Sequence, residues 1–258
     1  MKIKDVIATL ELFAPLPLQD GYDNAGLQVG EPEAEVSGVL LCLDVTEAVM
    51  AEAVTKGCNM VVAHHPLLFH PLRHLGDSDY VERCVRYAIR NDISVYAAHT
   101  NLDNAQGGVS FALAERLGLK DLTFLKINDK GGGCGCIGCL TEPMEASAFI
   151  SMIKDALGLR CAMHNALLLR PIRRVALCGG AGDFLLDDAL AQGADAFVTG
   201  EMHYHRYFGT MQRLQVVVTG HWESEQFAPA LIQDVLRKRF TDLPLCLAEV
   251  NTNPIEYM

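Results

Sequence analysis

The chain has no long apolar run and few positive charges, and both absences limit what it can do. No stretch approaches the about 18 uncharged apolar residues of a membrane span. Lys and Arg number 21 against 32 Asp and Glu, and the net charge of −11 disfavours nonspecific binding to nucleic acid phosphates or anionic lipid. Acidic residues interrupt the first apolar segment and no small-residue cleavage site follows it, so we expect no signal peptide.

Nucleotide-binding motifs and a disulfide framework are also missing. The turn Gly179-Gly180-Ala181-Gly182 lacks the Lys-Ser/Thr of a P-loop and the G-x-G-x-x-G of a dinucleotide fold, which leaves a tight turn with weak anion-binding potential. The nine cysteines are odd in number and most lie in apolar runs, so we expect reduced thiols in a cytoplasmic protein. Cys134, Cys136 and Cys139 lack a clear fourth thiolate nearby, and a glycine-rich connector with incidental cysteines is favoured over a zinc or cluster site.

What the sequence does contain is an alternation of strand-like and helix-like segments. Half of the 258 residues are apolar, enough for a substantial core, and the length allows one large domain or two modest ones. The pattern predicts helices over about 1–16, 46–56, 77–91, 108–117, 145–157, 184–192 and 223–239. It predicts strands over 36–43, 59–65, 93–98, 175–178, 196–199, 216–219 and 245–250. This alternation indicates an α/β fold with a largely parallel sheet in its first half.

A glycine-rich segment breaks the alternation in the middle of the chain. Residues 126–140 contain several glycines, which predicts a loop and a change of structural unit. We therefore expect two linked α/β domains. The first covers residues 1–125 and is completed by the C-terminal segment of about 222–258, and the second covers residues 126–221.

The most informative stretch is an uncharged run that leads into two adjacent histidines, His64 and His65. Because Pro66 cannot donate to a sheet ladder, the strand should end there, at the edge where α/β sheets bind ligands. Neighbouring side chains on a regular strand face opposite sides, so both imidazoles can reach one centre only if the backbone turns. The alternative is a pair of surface or packed histidines, and the dipeptide taken alone favours that alternative.

Other polar side chains also follow directly after short apolar runs. They are His99 and Asp103, then Glu201, His203 and His205, and finally His221 and Glu225. Judged singly, each has a structural alternative: Asp103 can cap the next helix, His99 can be a satisfied core histidine, and Glu225 can be a solvated first-turn acid. One site built from several strand ends is the arrangement that α/β sheets offer.

Imidazoles and carboxylates without thiolates describe a site for Zn, Mn, Fe, Co or Ni. Five or more ligands exceed what one tetrahedral zinc uses, and bridging carboxylates suit two ions. Two such ions activate a water molecule at neutral pH. The set therefore points to hydrolysis of a phosphate, amide or amidine-like bond.

Several segments in the same order resemble the NIF3-like family, whose members are also named GTP cyclohydrolase I type 2 homologues. They are residues 22–30, His64-His65-Pro66, residues 99–103, Gly179-Gly180 with Gly200-Glu201, and Gly220-His221 with Glu225. The resemblance covers essentially the whole chain. It implies two linked α/β domains with a dinuclear metal site in the cleft between them, and a toroidal homohexamer.

The resemblance also implies roles for single residues. The metal ligands would be His64, His65, Asp103, His221 and Glu225. His99 would be a further ligand or a base. Our own hypothesis, separate from the resemblance, is that His99, Glu201 or His205 moves protons to and from the water molecule. The implied function is a metal-dependent hydrolase for a small molecule, with a nucleotide suggested by the family name. The alternatives are a metal-binding or metal-delivery protein without turnover, and a scaffold whose ring matters more than its metal.

Two positions depart from the family pattern. Tyr22 stands where the family usually has tryptophan, and Cys136 stands where the connector often has arginine. If that arginine binds an anionic substrate or shapes a subunit contact, this protein differs there.

Overall fold

The computed structural model describes residues 1–258, which form nine α-helices and eleven strands. The helices are α1 Ile3–Phe13, α2 Glu47–Thr55, α3 Tyr80–Arg90, α4 Thr100–Asp103, α5 Val109–Arg116, α6 Ala146–Leu157, α7 Leu186–Ala191, α8 His221–Glu225 and α9 Ala228–Arg237. The strands are β1 Gly26–Val29, β2 Val39–Cys42, β3 Met60–Ala63, β4 Ser94–Ala97, β5 Lys120–Ile127, β6 Gly133–Met144, β7 Met163–His164, β8 Ile172–Cys178, β9 Ala196–Thr199, β10 Gln215–Val218 and β11 Leu245–Leu247. None of these helices combines the length and the apolar character needed to cross a membrane.

The chain divides into two compact units. Unit 1 comprises Met1–Ala105 and Ala228–Pro254, and unit 2 comprises Gln106–Phe227 and Ile255–Met258. The domain limit expected near residue 125 lies inside β5, and the return expected near residue 222 lies inside α8. Each unit contains one complete sheet.

Unit 1 contains a five-stranded sheet in the order β1-β4-β3-β2-β11. Strands β4, β3, β2 and β11 are parallel, and β1 runs antiparallel to β4, which confirms the largely parallel sheet. Every residue of β2, β3 and β4 is buried, as expected for parallel strands covered on both faces. Helix α2 begins where the sequence predicts, because the Thr46 hydroxyl accepts a hydrogen bond from the Val49 N–H at 3.3 Å.

Unit 2 contains a six-stranded sheet in the order β5-β6-β8-β9-β10-β7. Only β8, β9 and β10 are parallel. Alternate residues of β8 enter different cores: Val175 and Leu177 pack in one cluster with α6, and Ala176 packs in another with α7. The three parallel strands end at one edge of this sheet, and the chain turns there at residues 179–182, 200–203 and 219–221.

Most of the glycine-rich segment is strand, so the loop predicted over residues 126–140 was wrong except at the turn of residues 128–132. Strands β5 and β6 pair as an antiparallel hairpin, and Cys134 and Cys136 sit in register with Lys126 and Phe124. A methyl group at Gly133 would lie 2.5 Å from the Lys126 carbonyl oxygen, so glycine is needed because the neighbouring strand approaches closely. None of the nine cysteines forms a disulfide, as expected.

Candidate functional site: two histidine and carboxylate clusters

The first cluster lies in unit 1, where β3 ends at Ala63 and the chain bends. This bend was expected from the sequence, and it places the His64 and His65 rings 4.9 Å apart. The His64 Nδ1 donates to the Ala98 carbonyl oxygen at 2.7 Å. A carbonyl oxygen only accepts, so the neutral imidazole carries its lone pair on Nε2. That Nε2 lies 3.7 Å from the Asp103 Oδ1.

The second imidazole of the pair is oriented by Asp44, a residue that the sequence did not single out. The His65 Nδ1 lies 2.7 Å from the Asp44 Oδ1, and the Thr252 hydroxyl donates to the other carboxylate oxygen at 2.6 Å. Burial opposes ionisation, but the bond to His65 keeps the pKa of Asp44 below its usual value. Asp44 follows directly after β2, and this strand-end position is the signal that could have identified it.

His99 belongs to the same cluster and is held by Asp23. Its ring lies 5.4 Å from that of His64 and 5.6 Å from that of His65, and its Nδ1 lies 2.7 Å from the Asp23 Oδ1. The Asp23 side chain is fully buried. Burial alone would raise its pKa, but hydrogen bonds from His99 and from the Thr100 hydroxyl lower the pKa of Asp23 to about 2. Asp23 is therefore a carboxylate that fixes the His99 ring.

Asp103 lies at the end of α4 and does not cap the next helix. The residue at the N-cap of α5 is Gly108. The Asp103 carboxylate instead lies close to His64, 3.7 Å from its Nε2. The helix-capping alternative for Asp103 is therefore not seen.

The second cluster lies in unit 2, at the start of α8. The His221 Nε2 lies 3.2 Å from the Glu225 Oε2, one helical turn away, and the His221 Nδ1 lies 2.7 Å from the Glu201 Oε1. The Glu225 side chain is only 5% exposed, so it is not a solvated first-turn acid. The structure thus brings three of the sequence-predicted residues together.

Two predicted residues remain, His203 and His205. His203 is exposed, and its Nδ1 lies 2.5 Å from the Asp183 Oδ2. His205 lies in the exposed 3₁₀ helix at Tyr204–Tyr207 that follows. Its ring contacts are with Tyr204 at 5.3 Å and Phe208 at 6.1 Å. Of the residues proposed to move protons, His99 and Glu201 therefore lie in the two clusters, and His205 contacts neighbouring aromatic rings. These roles stay predictions.

Two N–H groups of the glycine turn after β8 are hydrogen-bonded to side chains of unit 2. The Gly180 N–H donates to the Ser224 hydroxyl at 3.0 Å, and the Gly182 N–H donates to the Thr199 hydroxyl at 3.1 Å. Both amides therefore have partners within unit 2. The turn instead borders the second cluster, because a methyl group on Gly180 would collide with the Glu225 carboxylate.

Comparisons with known proteins give one consistent answer. A family model described as Duf34/NIF3 (NGG1p interacting factor 3) matches residues 1–254. A protein named GTP cyclohydrolase 1 type 2 homolog from Lactococcus lactis is 34% identical over 98% of both chains, and one of the same name from Clostridium perfringens is 32% identical over 100% of both. That name states a relationship and not a measured activity.

Solved structures agree with the sequence relatives. A Bacillus cereus protein related to NIF3 matches with a TM-score of 0.91 at 25% identity, covering 100% of this chain and 99% of that one. A Staphylococcus aureus protein matches with a TM-score of 0.92 at 26% identity and the same coverage. With its fold and nearly its whole length matched, the chain belongs to the Duf34/NIF3 family.

Proposed function

We propose that this protein binds two divalent metal ions and that it is a hydrolase whose activity depends on them. One observation carries the proposal: in four histidines the Nδ1 atom lies at hydrogen-bond distance, 2.7 Å, from a carbonyl or carboxylate oxygen. The pairs are His64 with the Ala98 carbonyl, His65 with Asp44, His99 with Asp23, and His221 with Glu201. In each ring, Nε2 is then the nitrogen that can bind a metal ion. Proteins orient metal-binding imidazoles in this way, with the other ring nitrogen held by a carboxylate or a carbonyl oxygen.

The proposed ligands come from both clusters. Unit 1 would supply His64, His65 and Asp103, and unit 2 would supply His221 and Glu225. We further propose that His64, His65 and Glu225 share one ion. Zn, Fe, Mn, Co and Ni all accept this combination of imidazole and carboxylate oxygen.

The remaining residues have defined tasks in this proposal. Divalent ions would lower the pKa of a water molecule and so supply a nucleophile at neutral pH. Glu201 and Asp44 would keep the His221 and His65 rings in the orientation that binds metal. His99, fixed by the ionised Asp23, would accept and return a proton. The homohexameric ring implied by the resemblance and the cytoplasmic location indicated by the cysteines stay predictions.

Metal content tests the first half of the proposal. Protein purified without added metal should contain about two divalent ions per chain, measured by elemental analysis. The double variant His64→Ala/Asp103→Ala should lose them. Asp44→Asn should weaken metal affinity by about 10- to 100-fold in competition with a chelator, because the amide disturbs the His65 tautomer. Asp129→Asn is the matched control, since Asp129 lies on an exposed turn between β5 and β6.

Turnover tests the second half. Protein loaded with each of the five metals is assayed on nucleotides, phosphodiesters and small amidohydrolase substrates, with the His64→Ala/Asp103→Ala variant as background. Hydrolysis above that background supports the proposal. Stoichiometric metal without turnover on any substrate class would leave a metal-binding or metal-delivery protein, and absence of metal from the wild type would refute both.

A further inference from the structure

We propose that a cavity beside His99 binds a flat aromatic ring of the substrate, and that Tyr22 and Phe69 select for that ring. This inference rests on the proposed function, because it names the substrate class of the same site. The cavity has a volume of about 420 Å³ and is lined by residues 22–24 and 68–72, all in unit 1. That volume lies in the range of small-molecule pockets. We call it the ring pocket.

Aromatic side chains form the ring pocket and connect it to the first cluster. The Tyr22 and Phe69 rings meet edge to face, 6.4 Å apart, and the Phe69 ring lies 6.1 Å from His99. Tyr22 is nevertheless 66% exposed and Phe69 39% exposed. Their ring surfaces are therefore open to a ligand, and a ring bound against Phe69 would lie next to His99.

Hydrogen bonds hold the two walls of the ring pocket together. The Asn24 side-chain amide donates to the Leu68 carbonyl at 2.6 Å, and the Leu68 N–H donates to the Gln28 side chain at 2.9 Å. The Gln28 amide also donates to the Asn24 carbonyl at 2.6 Å. A pocket whose walls are tied before binding loses little entropy when a ligand enters.

The far end of the Phe69 wall is anchored by a buried acid that the proposed mechanism does not use. The Glu82 side chain is only 3% exposed and accepts hydrogen bonds from the Gly76 N–H at 2.9 Å and from the Ser78 N–H and hydroxyl at 3.1 and 2.9 Å. The Arg86 guanidinium donates to the Gly76 carbonyl at 2.8 Å. The segment that carries Phe69 is thus tied at Leu68 on one side and at residues 76–78 on the other.

Charge at the ring pocket decides which part of a substrate enters it. The Tyr22 hydroxyl donates to the Asp20 carboxylate at 3.2 Å, and Asp23 is one of the residues that line the ring pocket. Two carboxylates repel a phosphate or carboxylate group. An anionic substrate would therefore place its charged end at the metal ions and its neutral flat ring against Tyr22 and Phe69.

Matched ligand pairs test this inference on the metal-loaded wild-type protein. Adenosine 5′-monophosphate and ribose 5-phosphate share the charged end and differ in the ring, as do phenyl phosphate and methyl phosphate. Calorimetry should show that the ring-bearing member of at least one pair binds about tenfold tighter, the range expected for stacking of one base on an aromatic side chain. The first pair reports on a nucleobase and the second on a simple aryl group.

Variants then assign the preference to the ring pocket. Phe69→Ala and Tyr22→Ala should bring the two affinities of a pair close to equal, whereas Tyr22→Phe keeps the ring and should keep the preference. Leu12→Ala is the control, because Leu12 is 82% exposed on α1 and lies outside the ring pocket. Circular dichroism and metal content on each variant verify that the first cluster is intact.

The outcomes separate this inference from the proposed function. Equal affinities in the wild type, no binding of any probe up to about 10 mM, or a preference that survives both alanine variants would overturn the ring pocket while metal content stays normal. A change of oligomeric mass in Phe69→Ala without a change of preference would assign the two rings to a contact between copies instead. A ring preference in protein that holds no metal would refute the proposed function and support the ring pocket.

Discussion

Gly180 shows how a single backbone position can be required by a cluster of side chains, here the second cluster. Its φ of +57° lies in the left-handed region that favours glycine. A methyl group there would collide with the Glu225 Oε1 and would lie 3.1 Å from the His221 Nε2. The backbone has to pass this close to both side chains because α8 starts beside the turn that follows β8. Glycine at this position is thus a requirement of the second cluster.

We expect Gly180→Ala to displace the Glu225 carboxylate and to reduce the metal content, in addition to a backbone strain of about 1 kcal/mol. Gly193→Ala is the matched control, because Gly193 has a φ of +69° and no atom within 4 Å of its added methyl group. Thermal unfolding and elemental analysis are measured on both. If the two variants lose the same stability and neither loses metal, the collision with Glu225 has no functional consequence.

At this scale the sequence identifies the histidines of the two clusters better than the carboxylates that orient them. His64 and His65 follow a strand and His221 begins a helix, and such positions can be recognised from the pattern of apolar runs. Asp44 and Asp23 could not be paired with their histidines in the same way, because 21 and 76 residues separate the partners along the chain. Only the order of strands in the sheet brings those carboxylates to the rings.

At the scale of elements, helices and buried strands were predicted well where one physical signal dominates. Helix α6 spans Ala146–Leu157 within the predicted range, and Gly158 ends it in the left-handed conformation. The β5–β6 hairpin was missed because its glycines resemble a loop, although they are there to let a neighbouring backbone approach. The single helix predicted over residues 223–239 is two helices, α8 and α9. The short helix α8 carries both His221 and Glu225.

Strands β8 and β9 are joined by Asp195, whose carboxylate accepts hydrogen bonds from the Arg173 and Arg174 N–H groups at 3.0 and 2.9 Å and pairs with Arg170. Burial opposes ionisation, but Arg170 and the two amides lower the pKa of Asp195 below its usual value. The stabilisation is therefore complete above the pKa of the unfolded chain, about 3.9, and is lost as the pH falls through the lower folded pKa.

We expect Asp195→Asn to lower the free energy of unfolding by about 1 to 2 kcal/mol at pH 7, since Arg170 is half exposed and solvent weakens the ion pair. The difference from the wild type should shrink as the pH falls below about 4. Denaturant unfolding at several pH values measures it, with Asp129→Asn as the control. A difference that stays constant down to pH values below the folded pKa would show that shape, and not charge, is responsible.

At the scale of the whole molecule, the proposed ligands are divided between two units that each have their own sheet and core. Ligands at residues 64, 65 and 103 belong to one unit and those at residues 221 and 225 to the other. An ion that takes ligands from both would bind the folded chain and not the unfolded one. Its binding free energy would then add directly to the stability of the whole chain.

Removal of metal should therefore lower the melting temperature of the wild type. At a free metal concentration about 100 times the dissociation constant, bound metal adds about 2.7 kcal/mol, which corresponds to about 5 to 10 °C for a chain of this size. Differential scanning calorimetry with and without a chelator measures the shift, and restored metal should reverse it. The His64→Ala/Asp103→Ala variant is the control, because its melting temperature should respond to neither treatment. A chelator shift of equal size in that variant would place the stabilising ion elsewhere in the chain, and no shift in metal-loaded wild type would mean that the two units do not depend on a shared ion.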